Sequence, residues 1–381
     1  PRLTPHLVNR LVTGAAPLIS RPHSQGRPSV LVGLSGGVDS AVAALVLLEA
    51  GYRVHGVTFS LWTDPSLSAE NRCCSAHALG SARQTAERLG IPHDVVDLAD
   101  PFYRVVVEPF VATYAGGMTP NPCVACNARL RMPMLFRLAG QWGLDGIATG
   151  HYARLVGVPP RLHRARAEDK DQSYVLARVD PQVLESAHFP LGELDKAEVR
   201  ARAKRAGLEV HGRAESQEIC FIPDNDHRRF LSERLEHRPG PICDLNGLQI
   251  GHHAGIHRFT IGQRKGLGIA AAQPLYVVAI RGQDNAVIVG PAAVLEVREL
   301  EVRDITWHEP ALLEQPLRVQ IRSTGRPVAA EVLAWEGDGL RLGLRGSERA
   351  AAPGQTAVIY HGDQVVCGGV IVSSWSGLRP S

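Results

Sequence analysis

The sequence predicts an α/β chain: a doubly wound parallel-sheet domain, then a small central domain, then a C-terminal β-barrel. Three observations predict it. From residue 29 to about 206, strand-like apolar runs alternate with helical periods, the pattern of a parallel sheet. Near residue 227 the texture changes, and a short helix (Arg228 to Leu235) leads into Pro239-Gly240-Pro241. Short strands punctuated by glycine then follow one another, as in a small barrel. The 381 residues suit two or three domains. Boundaries are expected near 227 and 284: a loosely held tail over 1–28, the α/β domain over 29–226, a central domain over 227–283 and a barrel over 284–381.

The elements follow in order. Ser29-Val-Leu-Val-Gly-Leu34 is a buried strand, and Ala41-Val-Ala-Ala-Leu-Val-Leu-Leu48 is a helix. Val54 to Phe59 is the second strand. Ser75 to Leu89 is a helix stopped by Gly90 and Pro92, and His93 to Leu98 is the third strand. A helix over Phe102 to Tyr114 is expected to kink near Pro109. Asn127 to Ala139 is another helix, followed by the short strand Gly146 to Thr149. Asp195 to Ala206 carries complete helix signals: Asp195 caps, Glu198 completes a capping box and Gly207 terminates. The barrel-side strands are Leu275 to Ile280, Ala286 to Val289, Leu317 to Arg322, Ala329 to Ala334, Leu340 to Leu344 and Ala357 to Tyr360, with Asp284-Asn285 as a hairpin turn.

Composition excludes little. The net charge of +3 neither demands nor forbids a nucleic-acid partner. The cations are nearly all arginine; the lysines are Lys170, Lys196, Lys204 and Lys265. No apolar run approaches the ~20 residues of a membrane span, and no signal peptide is read, so a cytoplasmic protein is expected. Seven cysteines at uneven spacing in such a compartment point to reactive or metal-bound thiols rather than structural disulfides.

Chemistry concentrates in two places. Ser35-Gly36-Gly37-Val38-Asp39-Ser40 joins a strand to a helix, so backbone N–H groups and a helix N-terminus converge on one anion site. No lysine follows the glycines, which separates it from the G-x-x-x-x-G-K-[ST] loop. A loop of this kind suits pyrophosphate as it leaves. Asp39 is a candidate magnesium ligand or a cap for the following helix. The second place is the cysteines. Thr119-Pro-Asn-Pro-Cys-Val-Ala-Cys-Asn127 is a proline-stiffened loop that sets Cys126 at a helix N-terminus, where a thiol is acidified. Cys220 lies in Ser216-Gln-Glu-Ile-Cys-Phe-Ile-Pro-Asp224 and is either a buried inert thiol or a sulfur carrier. Cys123 and Cys126 are half a zinc site, too little for a zinc ribbon. Cys123, Cys126 and Cys220 together suit an iron–sulfur cluster with one iron left open. Cys73 and Cys74 fall near the expected pocket, and Cys243 and Cys367 read as packing residues.

Ser35 to Ser40 resembles the pyrophosphatase loop of ATP-dependent adenylating enzymes. Taken with Thr119-Pro-Asn-Pro122, Cys126-Asn127, Ala148-Thr-Gly-His-Tyr152, Lys170-Asp-Gln-Ser-Tyr174, the Cys220 segment and Phe259-Thr-Ile-Gly-Gln-Arg-Lys-Gly-Leu-Gly268, the chain from about residue 29 to 373 resembles the tRNA-specific 2-thiouridylases. The resemblance implies an ATP-dependent enzyme that thiolates the wobble uridine of tRNA. Gly33, Leu34, Ser35, Gly36, Gly37, Val38, Asp39, Ser40, Phe59 and Gly150 would bind ATP, with magnesium (Mg2+) at the phosphates. Asn121, Pro122 and Cys123 would contact the target base. Cys126 would be the nucleophile and Cys220 would carry a persulfide. His151, Lys170, Asp171, Gln172, Arg322, Ser323 and Gln355 would touch the tRNA or guard the entrance. The implied partners are the anticodon loops of the Lys, Glu and Gln tRNAs and a sulfur donor, a cysteine desulfurase or relay protein. Many relatives lack a cysteine at position 123, and its presence here raises a variant in which Cys123, Cys126 and Cys220 hold a [4Fe-4S] cluster and free sulfide is the donor.

Further basic residues suited to an RNA backbone are Arg161, Arg164 and Arg166, then Arg200, Arg202, Lys204 and Arg205, and Gly262-Gln-Arg-Lys-Gly266. The competing readings are an amide-forming synthetase with the same loop and a non-catalytic RNA-binding protein. Neither uses the paired cysteine loops.

Overall fold

The strand Ser29–Gly33 (β1) is apolar on both faces because a central parallel strand is covered on both sides, and four of its five residues are buried. The structure, a computed structural model, describes residues 26–66, 76–209 and 219–375. Most of the expected tail, together with Cys73, Cys74 and Ser216 to Glu218, lies outside the described residues. After β1 come α1 (Val38–Glu49), β2 (Arg53–Ser60), α2 (Ala76–Leu89), β3 (His93–Asp97) and α3 (Ala99–Phe102). A π turn (Tyr103–Val107), α4 (Glu108–Ala115), α5 (Pro122–Cys126), a second π turn (Asn127–Arg131), α6 (Met132–Gln141) and β4 (Gly146–Ala148) follow. The strands β5 (Ala153–Val156), β6 (Arg161–Arg164) and β7 (Ala187–His188) precede α7 (Lys196–Arg205).

The chain divides into two compact units. The first holds residues up to Val106, Cys123–Asn225 and Asp363–Val365. Its sheet has the order β3-β2-β1-β4-β7, and every neighbouring pair is parallel. The chain moves from β1 outward to β3, then returns to lay β4 on the other side of β1. The order therefore reverses between β1 and β4, and a crevice opens beyond the carboxyl ends of those strands. Small side chains on α1 let α7 pack closely: Ala41, Val42 and Ala43 share a cluster with Val199 and Ala203. The hairpin β5–β6 extends this unit, and Gln364 pairs with His163 at its edge.

The second unit holds Val107–Pro122, Asp226–Gly362 and Val366 onward. The segment with α4 belongs here because its aromatic rings do. Phe110 meets Phe230 at 6.2 Å and Tyr114 meets His227 at 6.4 Å, both on or beside α8 (His227–Ser232). A four-stranded sheet follows, from β8 (Gly240–Cys243), β9 (Gln249–His253), β10 (Tyr276–Arg281) and β11 (Ala286–Gly290), in the order β10-β11-β8-β9. Ile242, Phe259, Val277, Val287 and Val289 form its core. The last six strands are β12 (Glu296–Trp307), β13 (Leu317–Gln320), β14 (Val328–Glu336), β15 (Gly339–Arg349), β16 (Thr356–His361) and β17 (Gln364–Trp375). They run β12-β15-β14-β13-β16-β17, and the β12–β17 pairing closes the barrel. Its interior is packed with Leu300, Val302, Val319, Leu340, Leu342, Ile359 and Ile371. Cys367 is fully buried among them, as a packing residue.

Three expectations are corrected. The helix expected from Asn127 begins at Pro122, one turn earlier, where proline suits the first helical position. Asp284-Asn285 does form the hairpin turn, but it joins β10 to β11 within one sheet, so that sheet ends at Gly290 and not at residue 284. The sequence does not predict strands β5 to β9, β12 and β17. In β12 a bulge between Val297 and Glu299 breaks the period-two alternation that marks a strand. In β17 the Gly368-Gly369 pair imitates a turn, yet Gly369 is needed because a Cβ there would come within 2.5 Å of Val302.

The barrel interior gives a direct stability prediction. Leu342→Ala should destabilise the protein by roughly 2–5 kcal/mol, seen as a lower urea midpoint with little change in slope.

Candidate functional site

The loop after β1 is built to expose its backbone. Gly36 has φ of +76°, and a Cβ there would sit 2.3 Å from the Ala78 carbonyl oxygen, so only glycine fits. Ser40 braces the turn from below. The Ser35 N–H donates to Ser40 Oγ at 3.1 Å, and that hydroxyl donates to the Gly37 carbonyl at 3.1 Å. Leu34 anchors the entry: its side chain is buried, its N–H donates to the Val57 carbonyl at 2.8 Å and its carbonyl accepts from Thr58 Oγ1 at 2.8 Å. α1 then begins with Gly37 as N-cap and no side chain over its first N–H groups. The result is an anion-binding nest at the carboxyl end of β1. Phe59 lies half-buried near the carboxyl end of β2, and Gly150 follows β4, so both stand on strands adjacent to the nest.

Gly150 lies against the loop itself. A Cβ there would meet the Asp39 carbonyl carbon at 2.6 Å and the Ser40 nitrogen at 2.7 Å. Gln172 holds this second loop in place: its N–H donates to the Tyr152 carbonyl at 2.8 Å and its side-chain oxygen accepts from the Tyr152 N–H at 2.9 Å. Asp39 does not cap α1. It accepts from the Tyr152 hydroxyl at 2.8 Å, and its two oxygens both accept from Lys196 Nζ, at 2.7 and 2.8 Å. Sequence reasoning missed Lys196 and Tyr152. The capping box located Lys196 at the start of a helix, but not what that helix faces.

The cysteines occupy three environments. Cys123 and Cys126 sit one turn apart in a helical segment that begins at Pro122, so Cys126 lies a turn inside it and not at its first residue. Cys123 reaches the surface but is ringed by protein, and burial pushes its thiol up to about 11; Cys126 adds to the rise and Arg131 opposes it. Cys126 is buried, and the π turn starts at the next residue. Asn127 in that turn donates to the Cys123 carbonyl at 3.1 Å. Cys220 is half-exposed, and its neighbour Phe221 anchors it. Phe221 packs on Phe102 at 5.7 Å and on Trp62, just past β2, at 6.5 Å. Among the described residues no three Cys, His, Asp or Glu side chains gather as a metal-holding group. Cys123, Cys126 and Cys220 are thus not arranged as a ready set of cluster ligands.

The remaining expected residues divide between the units. In the first, Asp171 faces inward. One oxygen accepts from the Ala165 and Ser173 N–H groups, the other from Arg164 Nε at 2.9 Å and Ser173 Oγ at 2.9 Å. Arg164 is therefore held internally, and Arg202 pairs with Glu49 at 3.0 Å. Lys170 stays half-buried on the preceding turn. His151 accepts from or donates to Thr149 Oγ1 at 2.7 Å and meets Phe189 edge-on. Burial, with Arg131 nearby, pushes His151 down to about 3, so it is neutral at physiological pH. In the second unit, a cavity of about 450 Å³ is lined by Thr119, Tyr276, Arg322, Ser323, Arg349 and Gln355. Gln355 donates to the Thr119 carbonyl at 3.1 Å and the Thr119 N–H donates to Pro353 at 2.8 Å, which ties the strand leading to Asn121 and Pro122 onto the barrel. Arg322 pairs with Glu348 at 3.0 Å.

Family profiles match in the order of the fold. They are described as the tRNA methyl transferase HUP domain over residues 28–224, the tRNA methyl transferase PRC-barrel domain over 228–291 and the aminomethyltransferase beta-barrel domain over 297–371. The tRNA-specific 2-thiouridylase MnmA of Heliobacterium modesticaldum is 43% identical over 91% of this chain and 93% of its own. This chain belongs to the tRNA-specific 2-thiouridylase family. Other 2-thiouridylases are as similar: that of Chloroflexus aurantiacus is 44% identical over 90% of this chain and 98% of its own, and that of Magnetococcus marinus 42% over 90% and 98%. The 2-thiouridylase motifs quoted from the sequence map onto the nest, the Gly150 loop and the helix that starts at Pro122.

Two outcomes are expected here. Gly150→Ala should lower Tm by several degrees through overpacking, whereas Gly37→Ala, whose Cβ would meet only Ser35 Oγ at 3.4 Å, should leave Tm nearly unchanged. For His151 the unfolded chain takes up a proton first. Its share of stability is full above about 6.5 and is lost as pH falls toward about 3. His151→Gln should flatten the fall of Tm on acidification; parallel curves for variant and wild type would contradict the buried neutral imidazole.

Proposed function

We propose that this chain catalyses ATP-dependent 2-thiolation of the wobble uridine of tRNA, releasing AMP and pyrophosphate. The observation that carries the reading is the family match over nine-tenths of the chain, with the glycine nest intact at the point where strand order reverses. The uridine C2 oxygen is a poor leaving group. Attack of that oxygen on the α-phosphorus of ATP converts it to an adenylate, and the nest stabilises charge on the departing pyrophosphate. Magnesium would accompany the phosphates and supply positive charge beside the leaving pyrophosphate.

The terminal sulfur of a Cys220 persulfide then attacks C2 and AMP leaves. The Cys126 thiolate attacks Cys220 Sγ, the S–S bond breaks and the electron pair stays on the uridine sulfur. A Cys126–Cys220 disulfide remains, and an external thiol reductant returns both thiols. Half-exposure of Cys220 suits loading by a sulfur-donor protein, a cysteine desulfurase or relay protein. The target base must leave its stack to be reached, which favours an anticodon loop, such as those of the Lys, Glu and Gln tRNAs, over a duplex. Under this reading Asn121, Pro122 and Cys123 would meet that base. Arg322, Ser323 and Gln355, which line one cavity, and His151, Lys170 and Gln172 would meet the RNA. A tRNA substrate accounts for the cysteine loops and the barrel, which a small-molecule amide-forming synthetase leaves unused.

Thiolation assayed with ATP and tRNA on anaerobically purified protein tests this. Cys126→Ala and Cys220→Ala should each lose at least about a hundredfold in activity, and Cys123→Ala should keep most of it, with no iron bound. If all three are essential and activity follows bound iron, a [4Fe-4S] mechanism on Cys123, Cys126 and Cys220 replaces the persulfide. AMP release without tRNA would point to the small-molecule synthetase.

A further inference from the structure

The G-x-x-x-x-G-K-[ST] phosphate loop brings its own lysine to the phosphates. The loop Ser35–Ser40 has none, yet the fold delivers one from 157 residues further along. Lys196 is the first residue of α7. Asp195 caps that helix through the Glu198 N–H, and the Glu198 carboxylate returns a bond to the Asp195 N–H at 2.8 Å, so the backbone at Lys196 is fixed. Val199 and Ala203 lock α7 against Val38, Ala41 and Val42 of α1, the helix that the nest opens. From there Lys196 Nζ reaches Asp39 in the first turn of α1, and lies 5.6 Å from the centre of the Tyr152 ring. The lysine is only 15% exposed.

An ion pair this sheltered contributes little to stability on its own, because both charges lose water. Its position says more. A carboxylate in the first turn of α1 opposes any polyphosphate arriving at that N-terminus. The ammonium beside it cancels that charge and leaves the N–H groups of the nest to set the local field.

We propose that Lys196 is the phosphate-contacting lysine of the ATP site, held for that task by Asp39 and Tyr152. The inference rests on the adenylation reading above. In that step the uridine oxygen bonds to the α-phosphorus, and the bond from that phosphorus to the bridging oxygen breaks. The bridging oxygen departs with the electron pair as part of pyrophosphate. The Lys196 side chain stabilises the charge that appears there. It stands in for the absent loop lysine while leaving the glycine turn free of side chains.

ATP binding and tRNA-dependent AMP release are measured for wild type, Lys196→Met, Lys196→Gln, Lys196→Arg and the double variant Asp39→Asn/Lys196→Met, with Tm as the folding control. Lys196→Met should weaken ATP binding at least about tenfold and lower kcat for AMP release, with tRNA affinity unchanged. Lys196→Arg keeps the charge and should recover most of the ATP affinity. The double variant should stay as weak as Lys196→Met. If Lys196→Met does not fold, Lys196→Gln, which retains a donor to Asp39, should show the same loss. Wild-type ATP affinity in a folded Met or Gln variant makes Lys196 a helix staple only and overturns the proposal. Restored affinity in the double variant also overturns it, because the lysine then only shields Asp39. A wild-type protein that binds no ATP overturns the nucleotide reading itself.

Discussion

The approach of Gly150 to the backbone of Asp39 and Ser40 is the constraint on which the first unit's chemistry depends. It exists because β4 returns to the far side of β1, so the loops leaving the two strands must share one crevice. That contact leaves no room for a side chain at 150, and it sets Tyr152 where its hydroxyl meets Asp39. Gln172, Tyr152, Asp39 and Lys196 then form a chain of polar contacts around the nest. The glycine loop is therefore braced by three other segments, at 150–152, 172 and 196, and does not stand alone.

Much of this was legible beforehand, for definable reasons. The β1–loop–α1 signal is local, and local signals survive into the fold: the loop, the Asp195–Glu198 capping box and the Asp284-Asn285 turn all appear where the residues place them. What the sequence hid was non-local. Nothing around residue 196 says that its side chain ends on residue 39. Nothing around Asp171 says that its carboxylate turns inward to Arg164 and Ser173. The barrel strands β12 and β17 were obscured by a bulge and a glycine pair, the two devices that let a barrel close.

The cysteine helix shows a similar limit. Its start was set one turn late because Asn127 looks like a helix opener, whereas Pro122 is the real first residue. The π turn over Asn127–Arg131 inserts one residue into the ladder just past Cys126. Everything before that insertion is rotated relative to the regular helix after it, so Cys123 and Cys126 are aimed independently of the apolar stripe of α6 that packs in the core.

The chain passes between its two units five times, at Val106, Pro122, Asn225, Gly362 and Val365. The Pro122–Cys123 seam has the tethered Thr119 segment before it and a thiol directly after it. The last seam has a consequence for synthesis. Asp363–Val365 complete the first unit through Arg154 and His163, and the residues directly after them close the barrel against β12. On the ribosome, neither unit can reach its final form until Asp363–Val365 have emerged. The glycine nest, synthesised long before them, must wait in a partly folded first unit for that strand.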